Sequence, residues 1–364
     1  MSGAPRGPVL IMAGGTGGHV FPALAVARVL RERGVPVVWL GVPASMESKL
    51  VPANGFPIEW LRVHGIRGKG FATLAMAPLT ILGAVFQAIG VLRRVRPRAV
   101  LGAGGYVSGP GGIAAWLMRI PLLIHEQNAI PGMTNRWLAR LAAAVLQAFP
   151  NSFAAGIRAR TVGNPVRAEI AALAEPKLRF AERRGPTRLL VFGGSLGAQR
   201  LNAMVPLALE RIAPEARPQV RHQAGARGLD AALAAYAGAH VEAEVTAFID
   251  DMAGAYAWAD LAVCRAGAMT ISELQAAGLG ALLVPFPAAT DDHQTRNAEA
   301  LVSIGAGRVL QERDMTVETL SACIVELTHD RDRLLAMAEA AWRSRVIDAA
   351  AQVADVCLAA GVPA

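Results

Sequence analysis

The sequence predicts an α/β protein made of two Rossmann-like parallel-sheet domains. An apolar run, Val9-Leu10-Ile11-Met12-Ala13, feeds the glycine-rich stretch Gly14-Gly15-Thr16-Gly17-Gly18-His19, and a helical pattern follows from Ala23. About half a chain later Leu189-Leu190-Val191-Phe192 feeds Gly193-Gly194-Ser195-Leu196-Gly197-Ala198 in the same way. At 364 residues the chain is long enough for two cores.

Composition narrows the function. The net charge is +8, carried by arginine, since Lys49, Lys69 and Lys177 are the only lysines. A basic balance suits an anionic partner: nucleic acid, a phosphorylated substrate or an acidic membrane surface. With three tyrosines and no arginine–aromatic interleaving, nucleic acid has little support. Cys264, Cys323 and Cys357 are too scattered for a disulfide framework or a zinc site. The first apolar run is too short for a signal peptide, so secretion is not expected.

In order, residues 9–13 and 35–41 read as buried strands around one helix, a βαβ unit. The second strand ends in Gly41-Val42-Pro43, without the carboxylate a dinucleotide fold places there, so a nicotinamide or flavin cofactor is disfavoured. Residues 71–92 carry no charge. Pro78 divides the run, which argues against spanning a bilayer. Arg67 and Lys69 before it, and Arg93, Arg94, Arg96 and Arg98 after it, ring it with cations. It is therefore either a peripheral membrane surface or a buried core helix with a basic end.

A strand at 99–102 enters a second glycine cluster, residues 102–112. A strand at 121–124 ends in His125-Glu126-Gln127-Asn128, where open sheets bind ligands and where helix capping is the alternative. Gly163-Asn164-Pro165 is a turn. It separates a domain of residues 1–163 from one of 164–340, with 341–364 a closing helix expected to pack back on the first domain. In the second half, strands are expected at 189–192, 261–264 and 282–287. The last two lead into residues 265–274 and into Asp291-Asp292-His293-Gln294.

Thr270 and Glu273 have the spacing of a capping box, which needs no ligand. Their position after a parallel strand, in company with the glycine loops, points instead to a nucleoside diphosphate. A helix N-terminus would take the pyrophosphate and Glu273 the ribose hydroxyls, with cations such as Arg167 stabilising the leaving diphosphate. No Walker lysine follows any glycine loop. Asp330-Arg331-Asp332 reads as a helix cap rather than a metal site. His19 is either a loop histidine bonded to backbone or a base for a hydroxyl nucleophile.

Eight ordered blocks, residues 14–27, 102–112, 125–135, 163–167, 193–198, 248–252, 264–273 and 291–298, resemble glycosyltransferase family 28. The similarity is to its peptidoglycan branch. The resemblance implies a GT-B fold, two Rossmann-like domains facing a deep cleft, with no metal and no cofactor. It implies inverting transfer of N-acetylglucosamine from UDP-N-acetylglucosamine to the MurNAc C4 hydroxyl of undecaprenyl-pyrophosphoryl-MurNAc-pentapeptide (lipid I to lipid II). It further implies a peripheral position on the cytoplasmic face of the inner membrane, against its anionic surface, beside other cell-wall synthesis proteins.

Carried over by motif, the donor-binding positions are Thr16, Gly17, Gly18, Asn128, Arg167, Ser195, Ile249, Ala268, Met269, Thr270, Ile271, Ser272, Glu273, His293 and Gln294. Ile249 would flank the uracil, Glu273 the ribose, and Ser195 with 268–270 the diphosphate. His19 is the implied base and Glu126 a second catalytic candidate on the acceptor side. His293 stands where some members carry glutamine, and Ala266 where some carry serine. A UDP-N-acetylglucosamine 2-epimerase of the same architecture and a non-catalytic nucleotide-sugar-binding membrane adaptor are the competing functions.

Overall fold

The strands at Val9–Met12, Ala99–Gly102, Leu122–Glu126 and Leu261–Cys264 are buried throughout, and all strands in each sheet run parallel. The computed structural model describes residues 7–62, 77–194, 197–287, 289 and 292–360. The chain divides into two units, one of residues 1–165 with 348–364, the other of residues 166–347.

The first unit holds a seven-stranded sheet in the order β3-β2-β1-β4-β5-β6-β7. Its strands are β1 (Val9–Met12), β2 (Val37–Gly41), β3 (Ile58–Trp60), β4 (Ala99–Gly102), β5 (Leu122–Glu126), β6 (Ala144–Gln147) and β7 (Ala159–Thr161). β1 is central, with Val9 paired to Val37 on one side and to Ala99 on the other. Chain order reverses between β1 and β4, so the loops leaving those two strands flank the crevice where such sheets bind ligands. The closing helix, Ala349–Ala360, packs on the Gly17–Glu32 helix. It sends Val353, Ala354 and Cys357 into the core around β1.

The second unit has six strands in the order β10-β9-β8-β11-β12-β13. They are β8 (Arg188–Phe192), β9 (Gln219–Gln223), β10 (Glu244–Thr246), β11 (Leu261–Cys264), β12 (Gly280–Leu283) and β13 (Gly307–Val309). Reversal here falls between β8 and β11, and Leu189, Val191, Leu261 and Val263 stand at the centre of the core.

Several sequence expectations move. The first helix begins at Gly17, not Ala23, and takes Pro22 inside it. β5 runs on through His125 and Glu126, so these lie within the strand rather than beyond it. β12 starts at Gly280 and ends at Leu283, short of Pro285 and Pro287, which have no N–H to give a ladder. The second glycine cluster is half helix, Ser108–Leu117. A β-carbon at Gly111 would stand 2.2 Å from Met12 Sδ, and one at Gly112 2.7 Å from Leu138, so these glycines let the helix lie close on the sheet.

Residues 71–76 of the uncharged run lie outside the described residues. The rest forms the Ala77–Val95 helix, with Pro78 in its first turn where the missing N–H costs nothing. One face is core: Ala84, Val85, Ala88, Val91 and Leu92 are buried. The other face leaves Leu79 63% and Phe86 65% exposed, with Leu82 also in solvent. Trp116 and Leu117 on the neighbouring Ser108–Leu117 helix are exposed too. The helix is thus core on one side and an apolar surface on the other. Among the described residues no helix is long and apolar enough to cross a membrane.

Candidate functional site

In the first unit the loop after β1 is held from below by a buried carboxylate. Glu47, fully buried, accepts from Gly15 N through Oε2 and from Val42 N through Oε1, both at 3.1 Å. It thereby ties the loops after β1 and β2 together. Ser108 Oγ does the same for β1 and β4, donating to Met12 O at 3.1 Å and Gly104 O at 2.8 Å.

Thr16, exposed, is the N-cap of the Gly17–Glu32 helix. Its carbonyl accepts from His19 N and Val20 N, while its side chain makes no capping bond. Gly17, Gly18 and His19 form the first turn, so their N–H groups lie at the positive end of the helix. The His19 ring rests on Gly104, which has φ +102° and no side chain to displace it. His19 Nδ1 is 3.0 Å from Gln127 Oε1.

Glu126 is buried and fully engaged. Oε1 accepts from Asn128 N at 2.9 Å and Asn128 Nδ2 at 3.2 Å. Oε2 accepts from Gly132 N at 3.1 Å and Asn135 Nδ2 at 2.9 Å. With four donors around it, this carboxylate shapes the loop after β5 and is not presented as a free acid or base. The residues of 125–128 are not caps either, because the next helix, Met133–Leu138, is capped by Gly132.

In the second unit the site gathers where β8 and β11 end. The Ala268–Ala277 helix starts from Gly267 with no side-chain cap. Thr270 and Glu273 lie inside the helix, three residues too late for a capping box. Glu273 Oε1 accepts from Arg167 Nε at 3.2 Å and Nη2 at 3.1 Å, and Oε2 from the Tyr256 hydroxyl at 3.0 Å. Burial pushes the Glu273 pKa up, against the opposing pull of Arg167 and the Tyr256 bond. Burial likewise holds the Tyr256 phenol far above its ordinary value, so it stays a donor. Arg167 and Glu273, separate ligands on sequence grounds, are therefore a pair.

Gln294, second residue of the His293–Val302 helix, accepts through Oε1 from Phe286 N at 2.9 Å and Ala266 N at 3.2 Å. His293 opens that helix, and Asp292 before it has φ +52°. Arg265 donates to the carbonyls of Val284 and Pro285 and pairs with Glu312, which locks the same turn. Ile249 is half-buried just beyond β10. Ser195 lies outside the described residues. Its neighbour Gly194 has φ +84°, and Gln223 Nε2 donates to its carbonyl at 3.1 Å.

The glycosyltransferase family 28 N-terminal domain matches residues 9–147, and the C-terminal domain of that family matches residues 188–353. The chain belongs to glycosyltransferase family 28. Family 28 relatives extend over its whole length. A UDP-N-acetylglucosamine–N-acetylmuramyl-(pentapeptide) pyrophosphoryl-undecaprenol N-acetylglucosamine transferase of Marinobacter nauticus is 53% identical over 360 residues, 99% of each chain. The enzyme of the same name from Nitrosococcus oceani is 54% identical over 96% of this chain and 98% of its own. Among solved structures, Acinetobacter baumannii MurG superposes with a TM-score of 0.86 at 41% identity, over 97% of this chain and 99% of that one. The calicheamicin glycosyltransferase CalG4, at 16% identity and TM-score 0.67, shares the fold alone. The two Rossmann-like units are those of a GT-B glycosyltransferase.

Within this family 28 frame, the sequence assigns no role to Glu47 or Tyr256, and includes Gly104 and Gln127 only as members of the 102–112 and 125–128 stretches. Gln127 had a signal, its place between Glu126 and Asn128 at a strand end. Glu47 and Tyr256 had none, since a lone carboxylate or phenol in a helix announces no partner.

Proposed function

We propose that this chain transfers N-acetylglucosamine from UDP-N-acetylglucosamine to the MurNAc C4 hydroxyl of undecaprenyl-pyrophosphoryl-MurNAc-pentapeptide, with inversion at the anomeric carbon. The observation that carries the reading is His19. It stands in the first turn of a helix at a sheet's switch point, with one ring nitrogen bonded to Gln127 and its face against a bare glycine. His19 takes the proton of the acceptor hydroxyl as that oxygen bonds to the anomeric carbon. The carbon–oxygen bond to the diphosphate breaks on the opposite face, and its electron pair leaves on UDP.

The second unit would bind the donor. Glu273, steadied by Arg167 and Tyr256, takes the ribose hydroxyls, and Ile249 flanks the uracil. Ser195 and the N–H groups of Ala268, Met269 and Thr270 take the diphosphate at a helix N-terminus. Ile271 and Ser272 continue that turn, while His293 and Gln294 border it. Thr16, Gly17, Gly18 and Asn128 are the donor contacts of the first unit. Glu126 acts by holding the Asn128–Asn135 loop. The exposed Leu79, Leu82 and Phe86 support a peripheral seat on an anionic leaflet.

Acceptor-dependent release of UDP, on mixing the protein with UDP-N-acetylglucosamine and a lipid I analogue, tests the reading. His19→Ala should then lower kcat by roughly two orders of magnitude and leave donor affinity intact. Epimerised donor, or donor binding without turnover, would overturn it.

A further inference from the structure

Behind His19 runs a chain of hydrogen bonds whose polarity is fixed at its far end. His125 Nε2 lies 2.9 Å from the carbonyl oxygen of Gly163. A carbonyl only accepts, so His125 carries its proton on Nε2. The ring is buried, and burial lowers its pKa against the raising effects of the Gly163 bond and the Glu126 charge. It is therefore neutral, and Nδ1 offers a lone pair.

Gln127 answers that lone pair. Its Nε2 lies 3.2 Å from His125 Nδ1 and 3.3 Å from the His125 carbonyl oxygen, two acceptors that call for the two amide hydrogens. The amide can face only one way, with Oε1 toward His19. Oε1, 3.0 Å from His19 Nδ1, can only accept. The backbone that carries the relay is held too: Asn164 Nδ2 donates to Gln127 O at 3.0 Å and Asn135 Nδ2 to His125 O at 3.3 Å.

We propose that His125 and Gln127 are positioning residues that fix His19 in the Nδ1–H tautomer, leaving Nε2 as the nitrogen that receives the acceptor proton. Solvated histidine ordinarily prefers the opposite form, with its proton on Nε2 and its lone pair on Nδ1. The relay reverses that preference. It also survives the reaction, because the imidazolium formed by proton transfer keeps its Nδ1–H bond to Gln127. The proposal rests on His19 as base, but the tautomer itself is observable without turnover.

The test is long-range proton–nitrogen correlation spectroscopy on the full chain with nitrogen-15-labelled histidine, at about pH 8 where neutral imidazole dominates. His19 is assigned by the signal lost in His19→Gln. The wild-type protein should show the His19 proton on Nδ1. Gln127→Met should shift the ring toward the Nε2–H form and lower kcat about tenfold or more with donor KM unchanged. Gln127→Glu, which keeps an oxygen opposite His19, should retain the Nδ1–H form. A proton on Nε2 in the wild-type protein overturns the proposal whether or not either variant folds. So does a tautomer indifferent to Gln127→Met. A tautomer that shifts while kcat stays unchanged leaves the relay standing and removes His19 as the base.

Discussion

The His19 imidazole lies so close to Gly104 that a β-carbon there would be 2.7 Å from its Nδ1 and Cε1. Two glycine-rich loops, after β1 and after β4, thus meet ring against backbone. Gly104→Ala should displace the imidazole and lower kcat about tenfold or more, with donor affinity retained. The φ of +102° adds about 1 kcal/mol of strain. Steady-state kinetics beside a donor titration checks this, and an unchanged kcat would mean the ring position is immaterial.

Glu47 is the keystone under the same loop. Glu47→Ala removes the partner of two part-buried backbone donors, Gly15 N and Val42 N, and empties a fully buried site, and should cost about 1–2 kcal/mol of stability. Thermal unfolding reads the loss directly. A melting temperature equal to the wild type would show that water or a neighbouring group replaces the carboxylate at no cost.

Replacing Leu79, Leu82 and Phe86 together by serine should weaken sedimentation with anionic phospholipid vesicles and leave the unfolding transition in place. All three side chains are already in solvent, so the folded state loses no core contact. A destabilised protein that binds vesicles as before would contradict both halves of this statement.

His222 gives the second unit a pH dependence. It is buried, with Tyr236 Oη at 2.9 Å from Nδ1 and Asn202 Oδ1 at 3.0 Å from Nε2, and burial lowers its pKa to about 4 from 6.5. Between those values the unfolded chain binds more protons than the native one. Stability should therefore fall as pH drops from about 6.5 to about 4, by roughly 3 kcal/mol in total. His222→Gln should flatten that part of the curve. An unaltered slope of midpoint against pH would assign the dependence to other groups.

Central strands were legible because burial on both faces writes itself as an unbroken apolar run: β1, β4, β8 and β11 stand where such runs predict them. Strands β3, β7, β9, β10 and β13 leave no comparable run. Most of them border only one neighbour and carry polar residues such as Glu59, Arg160 and Glu244. In the site, glycine and histidine positions were readable from local order along the chain. Partnerships across it were not. Thr270 and Glu273 satisfy a capping pattern, yet the helix is already capped three residues before Thr270, at Gly267, and Glu273 turns to Arg167, 106 residues away. A spacing rule sees only neighbours in sequence, whereas a buried carboxylate is paired by whatever the fold brings to it.

The Ala349–Ala360 helix completes the core of the first unit, although all of residues 166–347 precede it in the chain. During synthesis the ribosome must therefore deliver the entire second unit before Val353, Ala354 and Cys357 exist to cover β1 and the Gly17–Glu32 helix. The half that begins first is finished last. In the interval its nascent sheet carries an uncovered apolar flank, the kind of surface that chaperones hold. A nonsense codon at residue 348 or 349 spares every described strand and still leaves the His19 half without its closing helix.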